Sequence, residues 1–289
     1  MKKFIAMLLA FILTAACFAG CAAAAPATTT AAAGQTGAPA ATGEDTPETP
    51  NQTVVVGYTI YEPMNYFEDG SDKLVGFDTE LAETVFGNLG YTVIFQEIDW
   101  NAKYTDLDSG TIDCVWNGFT CNCADDDDGI QRSEKVDFSF NYMENRQVIV
   151  VKADSAIAAA ADLSGKLGAV ESGSAGETYA KGFEGTTVKG CNYQTDCLME
   201  VNSGAADFAV LDAQLAKAYV GNGDYANLKI VEDLSSDVEY YAIGFKKGSE
   251  LTALVNAQLE ALAANGTIAT LAEKYGVANT AITDFSDQK

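Results

Sequence analysis

Twice along this chain a short apolar stretch rich in β-branched residues gives way to an amphipathic helical pattern and then to another apolar stretch. This alternation constrains the fold more than any other feature. TVVVGY (53–58) reads as a buried strand. GFDTELAETVFGNLG (76–90) reads as a helix, with Asp78 as its cap, Leu81, Ala82, Val85, Phe86 and Leu89 on one face, and Gly90 as its stop. YTVIFQEI, a short helix near 102–109 and the strand IDCVWN (112–117) continue the pattern. After the strand QVIVVK (147–152) it restarts with KLGAV, a helix from about 174, a strand near 186–189, a helix near 194–203, the strand DFAVL (207–211) and a helix through 212–220. VEYYAIGFKK (238–247) reads as a late strand, and helices built on Leu251, Leu254, Val255, Leu259 and Leu262 and on GTIATLAEKYG follow. Interleaved strands and helices of this kind build α/β sheets. Two such units predict two lobes around a cleft, and open α/β sheets bind ligands at the carboxyl ends of their strands.

The first 50 residues lie outside this pattern. Lys2 and Lys3 precede an apolar run too short for a comfortable membrane span, which is the layout of an export signal. Phe18-Ala19-Gly20-Cys21 resembles a bacterial lipobox, with Cys21 as the lipidated residue and Cys17 as a weaker alternative. Residues 22–50 are Ala, Thr, Pro and Gly with a few acids and cannot build a core, so they read as a flexible tether. The expected location is the outer face of the cytoplasmic membrane, lipid-anchored, in a cell of Gram-positive type. A formal net charge of -24 argues against nucleic acid as a partner. The chain has no histidine, so the commonest general base and metal ligand is missing. Its two arginines are Arg132 and Arg146, and any task that needs a planar bidentate cation falls to one of them.

Several stretches together resemble the amino-acid-binding proteins of ABC importers, solute-binding family 3. They are LVGFDTELAETVF, DSGTIDCVWNGFT, RSEKVDFSFNYMENRQVIVVK, GAADFAVLDAQLAKAYV and the run from YYAIGFKK to AEKYG. Each is weak alone, but their order and spacing are specific over about 53–277. The resemblance implies a two-lobed α/β fold of the periplasmic-binding-protein type II, or Venus-flytrap, kind with a hinge of two strands. Lobe 1 would hold 51–147 and 241–277, lobe 2 would hold 148–240, and 278–289 would be a C-terminal tail. Closure about the hinge would trap a free, polar amino acid for delivery to the permease subunits, with the protein acting as a monomer and without a cofactor or metal.

The resemblance also assigns residues. Arg132, just before Val136-Asp137-Phe138-Ser139, would clamp the ligand carboxylate with its two-pronged fork. Asp212, at the end of DFAVLD, would take the ammonium, the bland alternative being a helix cap. Gly118 and Thr120 would offer a carbonyl and a hydroxyl. Ser174 and Ala175 would present backbone N–H groups at a helix start. Tyr61 and Trp100 would wall the pocket, Asn117 and Glu62 could face its side-chain end, and Trp116 is better read as core. Arg146 reads as structural. The position near Thr59, where the family's binders of basic side chains carry an acid, is not acidic here, which points away from arginine and lysine.

One stretch departs from the family. Thr120 and Arg132 stand farther apart than their counterparts, so CNCADDDDGIQ (121–131) reads as an insertion, a solvated acidic loop at the cleft rim. It is not an EF-hand, because with Gly129 at the loop glycine, Ala124 takes the first ligand position and Lys135 the last. Cys121 and Cys123 are too few for a zinc site without histidine. Export permits disulfides; Cys191 and Cys197 could close a short loop, while Cys114, Cys121 and Cys123 leave one thiol over. Two other classes fit the fold. One is an exported enzyme of the cyclohexadienyl dehydratase kind, which would need an acid or base beyond the clamp pair, with Glu62 and Glu171 as the candidates. The other is a receptor's sensor domain, against which stands the lack of a membrane span or signalling module before Lys289.

Overall fold

The computed structural model describes residues 52–125 and 127–288. The export signal, Cys17, the lipobox Cys21 and the tether lie outside the described residues. No helix among the described residues is long and apolar enough to cross a membrane.

The first half of the chain runs β1 (Gln52–Tyr58), β2 (Tyr66–Phe67), β3 (Leu74–Val75), α1 (Phe77–Asn88), β4 (Tyr91–Glu97), α2 (Lys103–Ser109), β5 (Cys114–Val115), α3 (Arg132–Lys135), β6 (Asp137–Phe138) and β7 (Met143–Asn145). It continues with β8 (Gln147–Lys152), β9 (Leu167–Glu171), α4 (Ala175–Lys181), β10 (Thr187–Cys191), α5 (Gln194–Ser203), β11 (Phe208–Asp212), α6 (Ala213–Tyr219) and β12 (Leu228–Val231). β13 (Glu239–Tyr241), β14 (Gly244–Phe245), α7 (Leu251–Ala264) and α8 (Thr267–Lys274) complete the described chain.

The strands form two five-stranded sheets, ordered β4-β1-β5-β14-β6 and β10-β9-β11-β8-β12. In the first, β1 runs parallel to β4 and β5, and the returning β14 is antiparallel to β5 and β6. In the second, β9 runs parallel to β10 and β11, with β8 antiparallel to β11 and β12. The chain passes between the sheets along β7 and back along β13. These two strands pair antiparallel, Glu239 opposite Asn145 and Tyr241 opposite Met143. The architecture is a mixed α/β fold with two sheet-rich lobes joined by a two-stranded crossing.

Local chemistry explains these elements. In β1, Val54 and Val56 are buried, and the chain packs so closely at Gly57 that an added Cβ would lie 2.6 Å from Ile112 Cδ1. In α1, Phe77, Leu81, Ala82, Val85 and Phe86 are buried, the one-sided stripe that makes a helix dock on a sheet. Gly76, not Asp78, occupies the cap of α1, at φ 131 with no side-chain cap. A Cβ at Gly76 would fall 2.0 Å from the Met64 carbonyl oxygen, so glycine is required there. Asp78 is instead fully buried inside the first turn, where its carboxylate accepts from Gly118 N–H at 2.9 Å and Tyr142 O–H at 2.8 Å.

Three further expectations change. IDCVWN is a strand only at Cys114–Val115, because the chain turns toward the cleft at Gly118, whose φ is 59. VEYYAIGFKK breaks into β13 and β14, since its first half belongs to the crossing ladder and its second to the first sheet. The stretch read as a tail packs on the first lobe over its described residues, 278–288: Phe285 stacks on Phe140 at 5.7 Å and Ile282 N–H donates to the Tyr142 carbonyl. Trp116 lies in the core against Phe86 and Tyr142.

Candidate functional site

One cavity lies between the carboxyl ends of the two sheets' strands. Its walls bring together nine of the ten residues weighed from the sequence as ligand contacts: Tyr61, Trp100, Asn117, Gly118, Thr120, Arg132, Ser174, Ala175 and Asp212. Glu171 and Gln194 line it as well.

Arg132 opens α3 beside the first sheet and is 1% exposed. Its Nε donates to Asp125 Oδ1 at 2.8 Å, Nη1 donates to the Thr120 carbonyl at 3.1 Å, and Nη2 crosses the cleft to the Gly173 carbonyl at 3.0 Å. Its guanidinium carbon lies 5.2 Å from the centre of the Phe119 ring. Asp125 comes from the 121–131 stretch and is buried, and it also accepts from Lys135 Nζ at 2.8 Å. The expectation of a wholly solvated acidic loop is therefore corrected: Asp125 turns inward because two buried or half-buried cations meet it there, and they hold its pKa down to about 2 against the cost of burial. Asp126 lies outside the described residues, and Asp127 and Asp128 face solvent, with Asp128 2.7 Å from Lys135.

Asp212 ends β11 in the second lobe. It occupies the cap position of α6, yet its side chain makes no cap hydrogen bond. Its Oδ1 accepts instead from Asn145 Nδ2 at 2.7 Å and Gln147 Nε2 at 2.6 Å, and Oδ2 accepts from Gln194 Nε2. Beside it lies Glu239 of β13, which accepts from Thr120 Oγ1 at 3.0 Å, Asn145 Nδ2 at 2.6 Å and Gln147 Nε2 at 2.7 Å. Burial raises the pKa of Asp212 even though these donors oppose it. Burial and the neighbouring Asp212 raise Glu239 to about 7. Removing two carboxylates from water this close together is costly, so hydrogen-bond donors gather around them and protons are held longer.

The remaining wall residues are engaged as follows. Tyr61 O–H and Tyr241 O–H share a hydrogen bond at 2.7 Å. Trp100 packs edge-on against Phe119 at 5.3 Å. Gly118 N–H is held by the Asp78 carboxylate at 2.9 Å. Asn117 is fastened on all sides: its amide donates to the Thr59 carbonyl at 2.8 Å and Asn65 Oδ1 at 2.7 Å, and its oxygen accepts from Thr59 Oγ1 at 2.8 Å. It therefore shapes the wall without a free amide for a ligand. Ser174 caps α4, accepting from Glu177 N–H at 3.1 Å, and its own N–H donates to the Glu171 carbonyl at 3.2 Å. Lys103 is 2% exposed and joins Arg132 in bridging the cleft, donating to the carbonyls of Trp100 at 3.2 Å and Gly173 at 3.0 Å. Burial and the nearby Arg132 lower its pKa to about 7.

Two expected participants are elsewhere. Glu62 lines a separate groove with Tyr66, Tyr219 and Tyr275, from the turn between the bridged residues Tyr61 and Asn65. The expected pairing of Cys191 and Cys197 is absent; both are free thiols in mutual hydrogen-bond contact, and Cys197 Sγ also donates to the Tyr193 carbonyl at 3.5 Å. Cys121 likewise donates to Asn141 Oδ1 at 3.1 Å, and Cys114 is buried in the core. Asn145, Gln147, Gln194, Glu239 and Tyr241 were not picked out from sequence. The signal available was a set of polar side chains embedded in the apolar runs NRQVIVV and VEYYAI.

Residues 54–278 match the family described as bacterial extracellular solute-binding proteins, family 3. The arginine-binding extracellular protein ArtP of Bacillus subtilis is 32% identical over 74% of this chain and 82% of its own length. The L-cystine-binding protein TcyA of the same organism is 30% identical over 74% of this chain and 77% of its own length. Among solved structures, an ancestral arginine-binding protein bound to arginine superposes with a TM-score of 0.71 at 34% identity, covering 78% of this chain and 98% of that one.

Proposed function

Since the chain belongs to the bacterial extracellular solute-binding proteins, family 3, an extracytoplasmic group, we propose that it captures a free polar amino acid between its lobes and presents it to the permease of an ABC importer. In this reading it works as a monomer, without turnover, on the outer face of the cytoplasmic membrane, held there by a lipid on Cys21. The division into a first lobe of 51–147 with 241–277 and a second of 148–240 belongs to the same reading.

The observation that carries it is one cavity faced by Arg132 from the first lobe and Asp212 from the second. A zwitterion loses its hydration on burial and must meet a partner at each end. Arg132 supplies a two-pronged donor for the carboxylate, and Asp212 an acceptor for the ammonium. Because the two stand on different lobes, the ligand itself ties the lobes together, so binding and closure are one event. Thr120 and the Gly118 carbonyl complete the ammonium's surroundings, and Tyr61 and Trp100 cover the aliphatic part.

A thermal-shift screen of the twenty free amino acids plus cystine tests this reading. A clear rise in melting temperature with one amino acid or a small related group is the expected result. A flat response across the whole panel would contradict it.

A further inference from the structure

Glu171 ends β9 and precedes the Ser172-Gly173-Ser174 turn that starts α4. It is 4% exposed and lines the cavity beside Asp212 and Gln194. Neither the ligand clamp nor the polar floor of the crossing strands makes use of it. The Gln194 side-chain amide, which donates to Asp212, lies beside it and favours its charged form. Lys103 is the nearby buried cation, yet its hydrogen bonds go to the Trp100 and Gly173 carbonyls.

Around a bound zwitterion, Glu171 is the cavity acid with no cation in hydrogen-bond contact. Arg132 meets the ligand carboxylate and Asp212 meets the ammonium. Glu239 is occupied by Thr120, Asn145 and Gln147. Glu171 is left facing the cavity beside the Gln194 amide. An acid buried in this way either keeps its proton or acquires a positive partner.

We propose that Glu171 is the selectivity residue of this site and that the captured amino acid carries a cationic side chain, a guanidinium or an amine, which ends on its carboxylate. The inference rests on the capture of a free amino acid proposed above. It reverses the expectation drawn from Thr59. That position is neutral and its hydroxyl is engaged by Asn117, but the acid stands on the opposite wall, contributed by the second lobe.

Other side chains suit the cavity less well. A carboxylate side chain would add a further negative charge beside Glu171, Asp212 and Glu239. A neutral amide would leave Glu171 with no cation in hydrogen-bond contact. Cystine brings a second ammonium for Glu171 but also a second carboxylate, and the remaining arginine, Arg146, is exposed and donates to the Ser236 carbonyl at 2.6 Å. The state of Glu171 before binding fits this assignment: burial and the charge of Asp212 raise its pKa to about 8, so a cation entering the site would favour loss of that proton.

Calorimetry on the full chain with arginine, lysine, ornithine, glutamine, glutamate and cystine tests the proposal. The expected result is that a cationic amino acid binds about 100-fold more tightly than glutamine, the scale of stranding a buried charge, and that Glu171→Gln removes most of this preference while glutamine affinity holds or improves. A wild-type ranking with glutamine, glutamate or cystine first would overturn the proposal whether or not the variant folds. So would an unchanged cationic preference in Glu171→Gln. A neutral amino acid that binds tightly and is lost in Arg132→Ala would sink the Glu171 assignment and leave the capture function standing, whereas no binding by any free amino acid would overturn both.

Discussion

Arg132 Nε stands 2.8 Å from Asp125 Oδ1, with both side chains withdrawn from solvent at 1% and 7% exposure. The acid comes from the 121–131 stretch that joins Thr120 to Arg132. This stretch therefore carries the counter-ion of the residue that follows it. Asp125 fixes the Nε edge of the guanidinium, and carbonyls hold the other two nitrogens. The fork is thus oriented before any ligand arrives, and preorganisation of this kind lowers the ordering cost of binding.

Asp125→Ala leaves Arg132 buried with its charge uncompensated. The expected loss of stability is about 3 kcal/mol, the low end for breaking a buried ion pair. Asp125→Asn, which keeps an acceptor oxygen, loses less. Urea unfolding of the ligand-free variants measures this, and equal stability of all three proteins would show that the pair contributes nothing.

Gly118 places the pocket turn in the left-handed region at φ 59, and a Cβ there would lie 2.8 Å from the Tyr61 ring and 3.1 Å from that of Tyr241. Gly118→Ala should cost roughly 1–3 kcal/mol for the backbone conformation and push two rings of the cavity wall. The expected outcome is a lower melting temperature together with weaker ligand binding, read by thermal shift with and without ligand. A fully stable variant with wild-type affinity would contradict this placement of the turn.

The buried acids give a pH dependence with a definite sign. Asp78 and Glu239 are raised to about 7 from unfolded values of 3.8 and 4.5. Within that window the folded protein holds protons that the unfolded chain releases, so stability falls as pH rises from about 4.5 to 7. Asp125 acts oppositely, but its contribution is lost only as pH falls from 3.8 toward about 2. Lys103, lowered from 10.5 to about 7, acts above that window. The ligand-free protein should therefore melt higher at pH 5 than at pH 7, and Glu239→Gln should reduce the difference. A gradient of the opposite sign would contradict these protonation states.

Much of the fold was legible because its signals are local. The runs TVVVGY and QVIVVK, and the stripe of Leu81, Ala82, Val85 and Phe86, declare strand and helix by spacing alone. The residues that the order of short motifs picks out share one cavity. What sequence could not give was partnership at long range. Asp78 looks like a helix cap until Gly118 and Tyr142 are seen beside it. Glu239 lies in a run that reads as one strand, and its role follows from the crossing ladder that sets it opposite Asn145. Asp125 is one of four consecutive aspartates, and only the folded loop distinguishes it from its exposed neighbours Asp127 and Asp128.

The central claim is that a free amino acid is held between Arg132 and Asp212, and calorimetric titration of wild type and Arg132→Ala with the amino acid that most raises the melting temperature tests it most directly. The account predicts one-to-one binding to the wild type and a loss of roughly 2–5 kcal/mol in the variant, the usual cost of removing one partner of a buried charge pair. Unchanged affinity in a folded Arg132→Ala protein would contradict it.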